Sequence, residues 1–570
     1  MKATRVFTGR EGVCLIAFMI LAFTVASNAL EQQPTVGLLE YNQELQQEGY
    51  VLFAPLFNTT TYLINKCGQE VHKWESKYRP GLSAYILPDG SLLRSGNVNN
   101  PVFMLGGGAG GIIEKIGWDG NLLWSYRISD SIMCQHHDIY PMPNGNVLAI
   151  VWESKSYEEV VAAGRNPTIA DKNGWFEKII EIAPTGLNSG TIVWQWSAWE
   201  HLVQNYDEGK KNYGAIEQEF GRININYTID FNPKILEWLH CNSVDYNKDL
   251  DQILISAYGF GEVWVIDHST TTEEASSKAG GKYGKGGELL YRWGNPAAYN
   301  LGAPHDRKLF GQHNAHWIPN KNSDDGKIMI FNNGVARPTM NYSSVDIIIP
   351  PIGENGNYIR ENNETFGPAE QDWIYTDSVP GNFFASNFSS AQRLPNGNIL
   401  LCLGPGGQFF EVTPNNKTVW RYVSPVTVSG IVKQGSNASG NSVFKADFYP
   451  ASFEGFAGKE LKSSKPIELD PYPSLCITST VLESDNKNEG VRIFPNPVED
   501  VLGICYTENQ ALPVGISLVN SLGTEVYSQM NSPEGSYISE VNISNLPSGM
   551  YVLKLFYASS LIAKQIIIAR

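Results

Sequence analysis

Positive charge is what this chain has little of. Its 570 residues carry 42 Lys and Arg against 58 Asp and Glu, a formal net charge of −16. No basic patch able to release phosphate counterions stands out, which excludes a nucleic-acid partner and leaves an acidic surface. Cysteine is scarce, and none of the seven has a Cys-x-x-Cys partner, so no zinc ribbon or dithiol redox motif is present. No apolar run is long enough to span a membrane. The one sizeable run, 13–26, follows Lys2, Arg5 and Arg10 and ends in Ser27-Asn28-Ala29, the pattern of a secretory signal with cleavage near Ala29. In the oxidising compartment beyond, Cys67, Cys134, Cys241, Cys402, Cys476 and Cys505 are even in number but scattered, and most read as buried thiols.

What is abundant is β-type sequence, 54 Gly and 11% aromatic residues. A unit recurs: an apolar strand, a turn of the type Pro-Asn-Gly-Asn and a second apolar strand, over 84–93, 138–150, 316–331 and 391–403. Third and fourth strands follow, usually ending near Trp or Tyr, as in 112–118 into 122–127, 179–184 into 191–197, 263–267 into 288–293, and 409–414 into 419–423. Asn-Gly and Asp-Gly turns between alternating strands are antiparallel hairpin signals. A four-stranded unit repeated about an axis is a propeller blade. Five copies are clear, and residues 50–74 supply a sixth or close the ring, so the expected fold is all-β, a six-bladed β-propeller over 30–458.

Histidine is rare, nine in all, yet three fall at one phase of this repeat. His137 stands six residues before Pro143, His313 six before Pro319, and His240 six before Tyr246, which takes the turn proline's place. The outer copies hold Leu82 and Ser389 there. In a propeller the first strand of each blade lines the channel, so a shared phase means a shared height, and the three imidazoles are expected to converge at one mouth. A neutral imidazole is a nucleophile near neutral pH. Tyr258, Phe260 or Trp317 can stack on an aromatic substrate. His136 and His316 lie at odd offsets from their neighbours and read as structural. Three imidazoles can also hold Zn or Mn, but no Asp-x-His or His-x-His pair marks a dedicated ligand set, and neither metal nor cofactor is expected. The run Gly106-Gly107-Gly108-Ala109-Gly110-Gly111 fits a dinucleotide fingerprint formally, yet β-type sequence follows it, so it reads as a loop. Residues 278–287 form a Gly/Lys surface loop. The Tyr-rich insertion 199–238 reads as a lid over the mouth, with a decorated loop as the alternative.

Residues 459–490 are polar and aperiodic and read as a linker. Seven short β runs then fill 491–570, a small immunoglobulin-like β-sandwich. Phe494-Pro495-Asn496-Pro497, Gly523 before Glu525-Val526, Leu546-Pro547-Ser548-Gly549-Met550-Tyr551 and Lys564-Gln565-Ile566 make this segment resemble the C-terminal sorting domain of the type IX secretion system. That resemblance implies handling by the type IX machinery, export through the periplasm and across the outer membrane, and release or tethering at the cell surface.

The central region also has a likeness. His137-Asp138 with Pro143-Asn144-Gly145-Asn146, Trp238-Leu239-His240-Cys241-Asn242-Ser243, Gln312-His313-Asn314 and Phe331-Asn332-Asn333-Gly334-Val335-Ala336-Arg337 resemble the motifs of the arylsulfate sulfotransferase family, from about residue 50 to 450. The family's propellers move a sulfuryl group from an aryl sulfate donor to a phenolic acceptor without a nucleotide. On its pattern His313 matches the nucleophile that becomes a sulfohistidine, and His137 and His240 match the flanking histidines. Tyr258, Arg337, Asn242 and Asn314 are the implied substrate-binding residues. One departure stands out: where the family has an active-site Arg on the strand after the second histidine, this chain has Tyr258. Two other classes fit the same residues, a metal-dependent lyase or hydrolase and a non-catalytic propeller that binds a glycan or protein.

Overall fold

The computed structural model describes residues 33–569 except 104–106, 171–172, 230–236, 320–323, 361–363, 473–475, 477–490, 507–512, 521–523, 531–537 and 558–560. The expected signal segment, 1–29, lies outside the described residues. The chain divides into two compact units, Met1–Pro473 and Ser474–Arg570.

Among the described residues the first unit is built mainly from six antiparallel sheets, five of four strands and one of five. Their innermost strands are Pro80–Ile86, Met133–Pro141, Cys241–Asn247, His313–Trp317, Ser390–Arg393 and Val443–Tyr449. In five sheets the next three strands in the chain follow outward in order. In the sixth, Val443–Tyr449 pairs with Tyr50–Pro55, so late and early parts of the chain share a sheet. Gly37–Tyr41 adds an outer fifth strand to the sheet that starts at Ser390. Each innermost strand packs beside the next, and the last beside the first.

Turn chemistry explains the regular hairpins. Gly90, Gly145 and Gly397, each closing an Asp-Gly or Asn-Gly pair, have φ of +82°, +85° and +88°, which a Cβ opposes. The cores lie between neighbouring sheets: Leu93, Ile113 and Trp124 of one pack on Ile139, Val151 and Ile180 of the next. Each such side chain contributes roughly 1.5–3 kcal/mol on full burial.

Three expectations change here. The linker does not begin at 459: Ser464 donates its N–H to the Glu70 carbonyl at 2.7 Å, Leu469 donates to Val432 at 3.1 Å, and Ile467 is buried, so 459–472 is packed against the first unit. The insertion 199–238 is no open lid in its described part, because Leu202, Val203, Ile223 and Ile225 are all fully buried and Leu202–Val203 pairs with Ile223–Asn224. Cys134, Cys241 and Cys402 are buried thiols and Cys505 is a half-buried one, whereas Cys67 and Cys476 are disulfide-bonded.

Among the described residues the second unit has the seven strands expected. Val491–Phe494, Val501–Tyr506 and Ile538–Asn542 form one sheet, and Gly515–Asn520, Glu525–Met530, Gly549–Phe556 and Leu561–Ile568 form the other. Leu502, Ile504 and Val541 of the first meet Leu518, Leu553 and Ile566 of the second in one core.

Candidate functional site

Five of the six innermost strands carry a backbone kink in or just before them. Leu82, His137, His240 and Ser389, the residues at the shared phase, have φ of +103°, +49°, +47° and +86°. In the remaining histidine-bearing copy the kink falls one residue later, at Asn314 with φ +51°. Non-glycine residues seldom adopt this conformation, and it persists only where surrounding structure enforces it. In four of the sheets the register slips at the same place, between Pro80 and Ala84, opposite Ala149 and Val151, between Cys241 and Ser243, and between His313 and His316. A bulge of this kind re-aims side chains.

The three histidines meet. The His137 and His240 rings have centroids 4.6 Å apart, Tyr258 lies 4.9 Å beyond His240, and His313 lies 5.8 Å beyond Tyr258. Phe444 faces His137 at 6.2 Å and His313 at 6.4 Å. His137 and His313 are each 2% exposed, while His240 retains 19% of its side-chain exposure. Burial, reinforced by the neighbouring histidines, holds His137 well below the usual imidazole range. Burial brings His313 down to about 4 against the hydrogen bond to Asn333, which pushes upward. Both rings are therefore neutral at neutral pH.

Buried partners fix the tautomers. His313 Nδ1 lies 2.8 Å from Asn333 Oδ1 and 3.1 Å from the Gly311 carbonyl. Asn333 gives its two amide hydrogens to the carbonyls of Ala385 and Phe388, so its oxygen must face His313. Nδ1 is then the donor and Nε2 carries the lone pair. His137 Nδ1 lies 2.8 Å from His136 Nδ1, and His136 is stacked on Trp152 with centroids 4.0 Å apart. His240 Nδ1 lies 3.1 Å from a carboxylate oxygen of Glu237, three residues earlier.

The glycine run is more than a surface loop. Gly107 donates its N–H to Glu237 at 3.1 Å, and His137 donates its N–H to the Gly108 carbonyl at 2.8 Å. A Cβ on Gly107 would sit 3.2 Å from His240 Cε1, and one on Gly108 would sit 2.6 Å from Cε1 and Nε2 of His137. The glycines are there because backbone passes directly over two imidazoles. Glu237, Asn333, Phe444 and the glycine loop are the site residues that sequence reasoning missed. Asn333 was within a quoted motif, but only contact geometry separates it from its neighbours.

The other expected residues divide. Tyr258 stands between His240 and His313, and burial raises its phenol, partly offset by the Arg307 charge. Asn242, fully buried, donates to the Gln312 carbonyl at 2.8 Å, tying the strand after His240 to the residue before His313. Asn314 lies on the far side of the histidines, where it accepts from the Ala391 N–H and lines a separate cavity. Arg337 is engaged in its own loop, donating to the Tyr342 carbonyl at 3.1 Å and Ser344 Oγ at 2.8 Å. Phe260 is core, packed against Trp238 and Trp264. His316 and Trp317 face the separate cavity, of about 540 Å³, with Asp245, Lys445 and Asp447. Burial lifts the Asp245 carboxyl to about 7.

A family model described as arylsulfotransferase (ASST) matches residues 104–448, and one described as a secretion system C-terminal sorting domain matches 492–569. No curated protein matches the chain. Among solved structures, a protein of unknown function from Bacteroides caccae is 12% identical with TM-score 0.37, covering 70% of this chain and 99% of its own. A protein from Lactobacillus plantarum is 9% identical with TM-score 0.33, covering 87% and 100%. A catalytically inactive virginiamycin B lyase from Staphylococcus aureus, with quinupristin, is 9% identical with TM-score 0.29, covering 67% and 86%. No helix among the described residues is long and apolar enough to cross a membrane.

Proposed function

Because the chain belongs to the arylsulfotransferase family, which matches 104–448, we propose that it is a six-bladed propeller enzyme moving a sulfuryl group from an aryl sulfate to a phenolic acceptor through a sulfohistidine at His313. Six antiparallel sheets whose innermost strands adjoin in sequence, the last beside the first, support the blade count. The sorting domain indicates export to the cell surface or outside, and the two-sheet second unit fits an immunoglobulin-like sandwich.

One observation carries the mechanism: His313 is buried, neutral and held by Asn333 so that Nε2 presents its lone pair. In the first half-reaction Nε2 attacks sulfur, the N–S bond forms, and the bond from sulfur to the aryl oxygen breaks. The phenolate leaves with that electron pair and takes a proton from water. In the second half the acceptor phenol gives its proton to water, its oxygen attacks sulfur, and the N–S bond breaks with its electron pair returning to Nε2 to restore neutral imidazole. Transfer of this kind, by analogy with phosphoryl transfer, gathers charge on three equatorial oxygens, so catalysis is positioning plus positive charge. His137 and His240 would hold those oxygens, and Tyr258 and Phe444, whose rings lie beside His313, would frame the aromatic ring.

Incubation with an aryl sulfate in the absence of acceptor, followed by intact and peptide mass measurement, tests this reading. A sulfuryl adduct on the peptide carrying His313, discharged by added phenol, is the expected result. An adduct on another residue, or turnover by His313→Ala, overturns it.

A further inference from the structure

Within 4.8 Å of one another lie one ligand atom each of His137, Glu237 and His240, and among the described residues this is the one such cluster of His, Cys, Asp or Glu. We propose that these three side chains bind a divalent transition-metal ion, Zn²⁺ before others, and that the ion supplies the fixed positive charge that Tyr258 cannot. The second half of this proposal rests on the sulfuryl-transfer reading, whereas the binding site does not.

The carboxylate is the first argument. Glu237 is 7% exposed, and its Oε1 has no hydrogen-bond partner although His240 Nδ1 is 3.1 Å away. Two groups that close but misaligned as donor and acceptor are arranged as ligands to a third atom are. On a tetrahedral Zn²⁺ with bonds of about 2.0–2.2 Å, neighbouring ligand atoms stand about 3.3 Å apart. Glu237 Oε2 is held from behind by the Gly107 N–H, which leaves Oε1 to point inward.

The second argument is His137. Its Nδ1 is taken up with His136 at 2.8 Å, the outer partner that a metal-ligating histidine ordinarily has on its other nitrogen. Its Nε2 is therefore the free donor, and the missing Cβ of Gly108, which would lie 2.6 Å from that nitrogen, leaves space in front of it. Two imidazoles and one carboxylate suit Zn²⁺ and leave a coordination position for substrate. A sulfuryl oxygen in that position would be polarised as its charge grows, while His313, outside the ligand set, keeps its lone pair.

The test uses the full exported chain, stripped with chelator and titrated with Zn²⁺ by calorimetry, with Co²⁺ loading read by visible ligand-field absorption. One ion per chain is expected. His240→Ala should lose it, and Glu237→Gln, which preserves shape, should weaken it by at least about ten-fold. His313→Ala should bind as the unaltered protein does. Folding of each variant is checked by circular dichroism. Far less than one ion per chain, or equal affinity in Glu237→Gln and the unaltered chain, overturns the site. Adduct formation on His313 measured with stripped and loaded protein separates the two readings. Equal rates in both would sink the ion's role and leave the sulfotransferase standing. Stoichiometric Zn²⁺ with no adduct in either would sink the sulfotransferase and leave the site.

Discussion

The backbone N–H of His137 donates to the Gly108 carbonyl at 2.8 Å, and a Cβ on Gly108 would stand 2.6 Å from the same imidazole. One short loop therefore sets the height of the His137 backbone and roofs its ring, while the preceding Gly107 orients Glu237 beneath His240.

Replacing Gly108 by alanine should damage turnover beyond its cost to the fold. Gly108 has φ +88° and Gly145 φ +85°, but nothing lies within 4 Å of a Cβ at Gly145. Both substitutions bring the strain of a side chain at positive φ, about 1–2 kcal/mol. Only Gly108→Ala should also lower kcat, by about 10², since it displaces a site group by the order of an ångström. Thermal melting with steady-state kinetics checks this, and a wild-type kcat in Gly108→Ala would show that the loop does not set the ring.

The side chains around the covalent step should rank in order. His313→Ala should abolish turnover and adduct. His240→Ala and His137→Ala should be slowed by roughly 10²–10⁴. Asn333→Ala should fall by about 10–10² with the adduct still at His313, because it acts through the tautomer and orientation of that ring. Single-turnover rates measure the ranking, and an Asn333→Ala enzyme as fast as the parent would remove Asn333 from the account.

Tyr258→Arg returns a guanidinium to the position between His240 and His313. With aryl sulfates bearing good leaving groups the variant should exceed the parent, a single missing donor at such a site costing about 10²–10³ in rate. No gain, compared at equal metal loading, would mean that positive charge is already supplied.

Protons should act in opposite directions at two groups of histidines. Burial brings His201, His313 and His316 each to about 4, against about 6.5 in an unfolded chain. Between those values the unfolded state binds more protons, so their stabilisation is complete above pH 6.5 and declines as pH falls toward 4. His268 is the reverse: against burial, hydrogen bonds to Asp251 and Glu181 raise it to about 9, so its contribution is complete below pH 6.5 and is lost as pH rises through 9. Urea midpoints from pH 4 to 10 should show both slopes, with His268→Gln flattening only the alkaline one. The acid limb of kcat/KM should likewise lie below pH 6, because His313 must be neutral to attack.

Deletion of 491–570 should leave the first unit folded and strand it in the periplasm, since the second unit has its own core. Fractionation and surface proteolysis distinguish the outcomes, and surface delivery of the shortened chain would refute the sorting role.

Local periodicity alone determined much of this protein. Asp-Gly and Asn-Gly turns between alternating strands identify the hairpins because hairpin geometry depends on neighbouring residues, and a shared phase put His137, His240 and His313 together because equivalent strands repeat one backbone path. The seven strands of the second unit were legible for the same reason. What lies far apart in the chain was not. That Val443–Tyr449 completes the sheet begun by Tyr50–Pro55 depends on the two ends of the first unit meeting. Glu237, Asn333, Phe444 and Gly108 join the site through contacts that no spacing encodes, and Arg337, conspicuous in its motif, is held in its own loop by Tyr342 and Ser344. His316 faces the separate cavity, as its odd offset from His313 implied, but that it shares this cavity with Asp245, Lys445 and Asp447 was decided by strands that only the tertiary structure brings together.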